Sequence, residues 1–299
     1  PNVTVHKAEV KGKHKGIFGI WKLYQELKIE KIDGVADLHN VLRSNILKQF
    51  FKLQGLPFIQ MNKGRKEKMA LTSASHKVFE PLRSMHLRYA DVFAALGFPV
   101  ELKKEYVLPK KKLSMHLKKS IGAENKPFIG IAPFAAFSGK MYPLEYMKAV
   151  VKQLNDIGSH QILLFGGGPL EKKELESWEK EMEHCKSIVG KINFKEELDL
   201  ISNLELMVAM DSGNSHLAAM YGIPTITLWG VTHPYAGFYP FGQDPNNALL
   251  ADREKYPMIP TSVYGNKFPE GYDRAMDTIA PEQVIQKIVE LLSWSESTR

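Results

Sequence analysis

The sequence predicts an α/β fold of two Rossmann-like domains facing across a cleft, and three observations carry that expectation. Apolar runs of strand length alternate with stretches of helical periodicity through both halves of the chain. In the second half the runs stop at turns rich in glycine and small polar residues, where open parallel sheets bind ligands. Between the halves, residues 101–126 are rich in lysine and poor in large apolar side chains, so 1–124 and 125–299 are expected as separate domains.

In the first half, residues 2–6 read as a short strand and Lys7 to Gly16 as a basic loop. Ile17, Ile20, Trp21, Leu23, Tyr24 and Leu27 recur at helical spacing. A strand follows within Lys31 to Leu38, then a helix over residues 42–53 and a short strand at Phe58-Ile59-Gln60. Asn62 to Lys68 reads as a polar, basic loop. Val78 to Leu96 reads as one helix with Val78, Leu82, Leu87, Val92, Phe93 and Leu96 inward, ended by Gly97-Phe98-Pro99.

The second half opens with a strand at Phe128 to Ala132, a turn through Pro133 to Pro143 and a helix from Leu144 to Ile157. A strand at Gln161 to Phe165 runs into Gly166-Gly167-Gly168-Pro169 and a helix from Leu170 to Met182. Ser187 to Val189 reads as a strand and residues 195–203 as a helix. Leu206 to Met210 is a buried strand that stops at Asp211-Ser212-Gly213-Asn214-Ser215-His216, where a helix begins that Ser212 or Asn214 can cap. Thr225 to Trp229 is a further buried strand. Residues 244–279 read as irregular, and Pro281 to Leu292 as a closing helix.

With 44% hydrophobic and 24% charged residues in 299, the composition is that of a globular protein. The single cysteine, Cys185, excludes an internal disulfide framework and fits a reducing compartment. No apolar run approaches the roughly 20 residues of a membrane span, and no signal peptide is visible. The net charge of +7 is unevenly spread: residues 1–125 hold 24 Lys+Arg against 11 Asp+Glu, residues 126–299 hold 16 against 22. A basic half suits an anionic partner, and the absence of any RNA- or DNA-binding motif argues against nucleic acid.

Three turns of the second half should meet at one sheet edge: Ala135 to Lys140, Gly166 to Glu171 and Asp211 to His216. Lys140 would bring a cation to a phosphate, and Glu171 could accept hydrogen bonds from ribose hydroxyls. The helix start at 212–216 offers free N–H groups and a positive dipole end, and Gly213 lets a ligand approach the backbone. His216 can add a hydrogen bond to phosphate. Together these describe a nucleotide-diphosphate pocket. The glycine triplet does not fit G-x-G-x-x-G, because position 171 is Glu171. No HExxH or CxxC pattern occurs, so neither a metal nor a cofactor is expected, and no G-x-S-x-G elbow suggests a serine hydrolase.

The stretch D-S-G-x-S-H-L-A-A-x-x-G-x-P-T-x-x-L-x-G-x-T-x-P, Asp211 to Pro234, resembles the ADP-heptose:lipopolysaccharide heptosyltransferases of glycosyltransferase family nine. D-L-H-N-x-L-R-S (Asp37 to Ser44), the Lys140 turn, the glycine triplet and I-x-P-E-x-V (Ile279 to Val284) support the resemblance, which extends over nearly the whole chain. It implies a GT-B fold with an N-terminal acceptor domain and a C-terminal domain for an ADP-sugar donor. It further implies metal-independent, inverting transfer of heptose to a lipid-linked, anionic lipopolysaccharide core, by a cytoplasmic enzyme peripheral to an anionic membrane.

By the same resemblance Lys140 stabilises the diphosphate, Glu171 holds the nucleoside, and Asp211, Ser212, Gly213 and His216 surround the phosphates and sugar. Arg43, Lys63 and Arg65 are the candidates for the acceptor's anionic groups. Family members open with a strand and a glycine-aspartate loop whose aspartate is the proposed base. No residue here matches it, so the base is expected upstream of Pro1 and the N-terminal domain is expected to be incomplete; a non-catalytic nucleotide-sugar or glycolipid binding protein is the alternative. Ala136 stands where the family often has threonine, and Tyr256 to Met276 lacks the cysteines many relatives carry.

Overall fold

The computed structural model describes residues 3–122 and 126–297, with side chains as far as residue 293. The expected break at 124/125 therefore lies outside the described residues. By packing, the chain forms two compact units, one of Pro1–Arg65 and Arg83–Leu102, the other of Lys66–Leu82 and Lys103–Arg299.

In the first unit, α1 (Gly16–Lys28) packs on β1 (Val35–Asp37), α2 (Leu42–Lys52) and β2 (Phe58–Gln60) around a small aromatic core. The Tyr24 and Phe51 rings meet edge to face at 5.1 Å, and Phe51 reaches Phe58. The two strands pair in parallel, Asp37 opposite Gln60. Three sequence expectations fail in this half. Of the strand expected over residues 2–6, residue 2 lies outside the described residues and residues 3–6 form no strand, because among the described residues no other strand pairs with the segment and Val3 and Val5 are left exposed. The expected loop at 62–68 becomes α3 (Arg65–Leu71), since Arg-Lys-Glu-Lys-Met-Ala-Leu is built of strong helix formers. The long helix from Val78 starts only at α4 (Met85–Ala95): Pro81 disfavours a helical Glu80, and the Ser84 hydroxyl caps the shorter helix by accepting from Leu87 N–H at 3.3 Å. Of its expected inward residues, Val92 is buried and Val78 and Leu87 are exposed.

The second unit takes up residues 66–82 and then α5 (Met115–Ile121), whose Leu117 and Ile121 enter its core. Its sheet and helices follow the predicted rhythm through β3 (Phe128–Ala132), α6 (Leu144–Ile157), β4 (Gln161–Leu164), α7 (Pro169–Glu181), β5 (Cys185–Ser187), α8 (Phe194–Ile201), β6 (Leu204–Met210), α9 (Gly213–Met220), β7 (Thr225–Trp229), β8 (Ala248–Leu250) and α10 (Pro281–Ser297), with two departures. The strand expected at Ser187 to Val189 forms two residues earlier, where Cys185 pairs with Ile162, and β8 arises inside the stretch read as irregular because Ala248–Leu250 pairs with the edge of β7. The sheet is parallel throughout, in the order β5-β4-β3-β6-β7-β8. Both faces are covered, which is why the strands read as unbroken apolar runs rather than alternating ones. Leu206, Val208 and Met210 point into the layer of α6, α7 and α10, while Met207 and Ala209 join the layer of α5, α8 and α9.

Residues 66–82 lie along the turn after β7. Lys77 Nζ donates to the Leu71 and Pro260 carbonyls at 2.8 Å each, and Leu82 N–H to Tyr235 O at 2.9 Å. The Phe79 ring sits 5.0 Å from His233 and 4.8 Å from Tyr235, with the Arg253 guanidinium 3.3 Å over it.

Candidate functional site

From β3 the chain winds outward through β4 to β5, then returns to the other side of β3 as β6 and winds out again through β7 and β8. The turns after β3 and β6 thus leave the sheet in opposite directions, and in such folds the crevice between them is the ligand site. Register keeps the strand ends level: Ala132 faces Ala209 and Met210 faces Leu228. The turns at 133–143 and 211–216 therefore lie on either side of this switch point.

The structure brings five of the expected residues to one cleft of about 310 Å³, lined by Lys140, Asp211, Ser212, Gly213 and His216 together with Tyr264 and other neighbours. Lys140 Nζ lies 2.7 Å from Asp211 Oδ2 and donates to the Asp211 carbonyl at 3.3 Å; the two side chains are 14% and 7% exposed. An ammonium has three N–H donors, so two are used within the protein. The Thr232 hydroxyl donates to the same Asp211 Oδ2 at 3.0 Å. Asp211 is thereby held by two donors and faces Lys140 rather than standing free. The Lys140 stem rests on Gly265, whose φ of +76° and lack of a side chain allow the approach; a Cβ there would stand 2.6 Å from Lys140 Cγ.

At the start of α9, Ser212 occupies the cap position but its side chain caps nothing, and Asn214 lies inside the helix, so the expected cap is not formed. Ser212 Oγ is buried without a hydrogen-bond partner among the described residues. The first-turn N–H groups are left open to a ligand, and a Cβ at Gly213 would meet nothing within 4 Å. Burial pushes the His216 pKa down from 6.5, with Asp211 opposing and Lys140 reinforcing the shift. The imidazole is therefore neutral at pH 7 and offers one donor and one acceptor.

Glu171 lies in an adjoining hollow of about 260 Å³, which shares Ala136, Ser212 and Gly213 with the first. Its Oε2 accepts from Gly167 N–H at 2.6 Å. Of the glycine triplet only Gly168 has a positive φ, +84°, at the turn into α7.

Residues 20–262 match the family model of glycosyltransferase family 9 (heptosyltransferase). The chain belongs to that family. Lipooligosaccharide heptosyltransferase 2 of Haemophilus influenzae is 30% identical over 174 residues, 56% of this chain and 48% of that protein, so the match spans about half of that relative. The Campylobacter jejuni protein of the same name is 26% identical over 282 residues, covering 91% of this chain and 80% of its own. Two solved structures share the GT-B fold at 18% identity. They are ADP-heptose lps heptosyltransferase II of E. coli (TM-score 0.62, covering 96% of this chain and 82% of that one) and a family 9 glycosyltransferase from Veillonella parvula (0.66, 95% and 81%).

In this family 9 chain the three expected acceptor residues belong to the first unit. Arg43 is on the first turn of α2, and Lys63 and Arg65 follow β2, so all three lie beyond the carboxyl ends of its parallel strands. Asp37 knits that edge together, its Oδ1 accepting from His39 and Asn40 N–H at 3.0 and 2.8 Å and its Oδ2 from Gln60 Nε2 at 2.9 Å. Sequence reasoning missed Thr232 and Gly265 around the cleft and Glu197 of α8, which lines the second hollow. Thr232 stood in the quoted motif without a role. Gly265 lies in the stretch read as irregular, and a glutamate on a helix carries no signal of its own.

Proposed function

We propose that this chain is an inverting glycosyltransferase that moves a heptose, or a related sugar, from an ADP-sugar to a lipopolysaccharide core acceptor. The observation that carries the reading is the Lys140–Asp211 pair beside the uncapped start of α9, at the sheet's switch point. As the glycosidic bond breaks, the anomeric carbon becomes oxocarbenium-like and the diphosphate leaves with the bonding electrons. The remaining Lys140 N–H, the first N–H groups of α9 and His216 meet that growing negative charge. Asp211 fixes Lys140 and serves the donor, not the acceptor hydroxyl. Glu171 and the hollow beside it take the nucleoside.

The acceptor is a lipid-linked anionic saccharide on the side of the first unit, approached through Arg43, Lys63 and Arg65. That unit holds 14 Lys+Arg against 7 Asp+Glu, while the second holds 26 of each, so the whole net charge resides in the first. The enzyme works in the cytoplasm at the inner face of the membrane, in peripheral contact with anionic lipid. Among the described residues no helix is long and apolar enough to cross a membrane.

Isothermal titration with ADP and ADP-heptose tests the donor site. Binding is expected, with Lys140→Ala weakening it about tenfold or more, since hydrogen bonds to charged groups contribute about 1.5–3 kcal/mol. A folded protein that binds neither nucleotide, or binds both as well without Lys140, would overturn the reading.

A further inference from the structure

We infer that Glu197 reads the base of the donor nucleotide, accepting a hydrogen bond from an exocyclic amino group and so favouring an amino-bearing base over a keto base. The inference deepens the proposed function and rests on its placing of the donor phosphates at α9.

The second hollow is lined by two carboxylates, Glu171 from α7 and Glu197 from α8, and by the half-buried Phe134, with the fully buried Phe165 behind it. It shares Ser212 and Gly213 with the phosphate cleft, so a nucleotide held by its phosphates at the start of α9 directs its nucleoside into it. A half-buried aromatic side chain such as Phe134 suits a flat base. Glu171 already accepts the Gly167 N–H. Glu196, next to Glu197 in sequence, is occupied as well: it closes a capping box with Asn193 N–H at 3.0 Å and lies 3.2 Å from His116.

Glu197 differs from both. Its carboxyl has no hydrogen-bond or ion-pair partner among the described residues, although it is half-buried. Burial pushes its pKa up, and no cation offsets the effect. A desolvated acceptor without a donor costs stability, and a ligand that brings the donor recovers it. The 6-amino group of adenine or the 4-amino group of cytosine is such a donor. The carbonyl oxygens of uracil or hypoxanthine would instead face a carboxylate, acceptor against acceptor, and a polar site of this kind rejects a mismatched ligand strongly.

The test titrates the wild type, Glu197→Gln and Lys140→Ala with ADP, IDP, UDP and 2′-deoxy-ADP, with melting at pH 7 as the check on folding. The wild type is expected to prefer ADP over IDP and UDP by about tenfold or more. Glu197→Gln should bring the ADP-to-IDP ratio close to one, because its amide can donate to a 6-keto oxygen, and should leave the preference for ADP over 2′-deoxy-ADP unchanged. An unaltered ADP-to-IDP ratio in folded Glu197→Gln overturns the inference while leaving the donor site intact. Loss of the ribose preference alone also overturns it, by assigning Glu197 to the sugar. A wild type that binds no nucleotide, or one indifferent to Lys140→Ala, overturns the donor site and the inference together.

Discussion

His216 gives the site a pH dependence whose sign follows from its burial. Its folded pKa lies below the usual 6.5, so as pH falls the unfolded chain takes up this proton first. The stability His216 contributes is complete above about 6.5 and is lost as pH falls through the folded value. A diphosphate beside the ring favours the charged form and draws the pKa back up, so donor binding should take up a proton. ADP-heptose is the proper probe, because its diphosphate, esterified at both ends, does not titrate in this range. Its affinity should rise from pH 8 to pH 6, with proton uptake visible as a dependence of the titration heat on buffer ionisation, and His216→Asn should flatten both. A pH-independent wild type would mean that the phosphates do not reach His216. Lys140, Asp211, Gly213 and His216 were legible in the sequence because a cation, a small residue and a polar run at strand ends are chemical signals in themselves. Glu197 was not: whether a helical carboxylate faces solvent or a hollow depends on packing against other elements, and local spacing carries no trace of it.

At the scale of elements, the sequence was most readable where burial is two-sided. Phe128–Ala132, Leu144–Ile157 and Thr225–Trp229 form with the expected bounds, because strands covered on both faces and an amphipathic helix between them leave little freedom of register. It was least readable where isolated segments find distant partners, as in residues 72–82, held by Tyr235 and Pro260 rather than by a helix of their own. Residues 244–279 belong to the same class, and there the loop of Gly265 sets the Lys140 stem. Gly265→Ala places an L-residue at φ +76° and a Cβ 2.6 Å from Lys140 Cγ. The backbone strain alone should cost about 1–2 kcal/mol in thermal or urea unfolding, and ADP affinity should fall as the ammonium shifts from Asp211. Retained affinity in a destabilised Gly265→Ala would show that the loop supports the fold without positioning the cation.

On the scale of the whole molecule, the first unit combines its excess of seven positive charges with an unusual face on α1. While Gly19, Ile20 and Tyr24 turn inward, Phe18 is 90% and Trp21 50% exposed, one helical turn apart and interspersed with Lys15, Lys22 and Lys28. Apolar side chains among lysines match an interface of acyl chains beneath anionic head groups, where each cation near the surface contributes about 1 kcal/mol and the attraction decays within a Debye length of about 10 Å at 0.1 M salt. The proposed lipid-linked acceptor would be met at such a surface. Cosedimentation with phosphatidylglycerol vesicles should therefore show binding that weakens steeply between 50 and 300 mM salt, with little binding to phosphatidylcholine. Replacing Phe18 and Trp21 together by serine should reduce binding at every salt concentration without lowering the affinity for ADP, since neither residue lies in the unit that holds the donor site. Equal binding to neutral vesicles, or an unaffected double variant, would remove α1 as the membrane contact and leave the lysines of this unit to the saccharide alone.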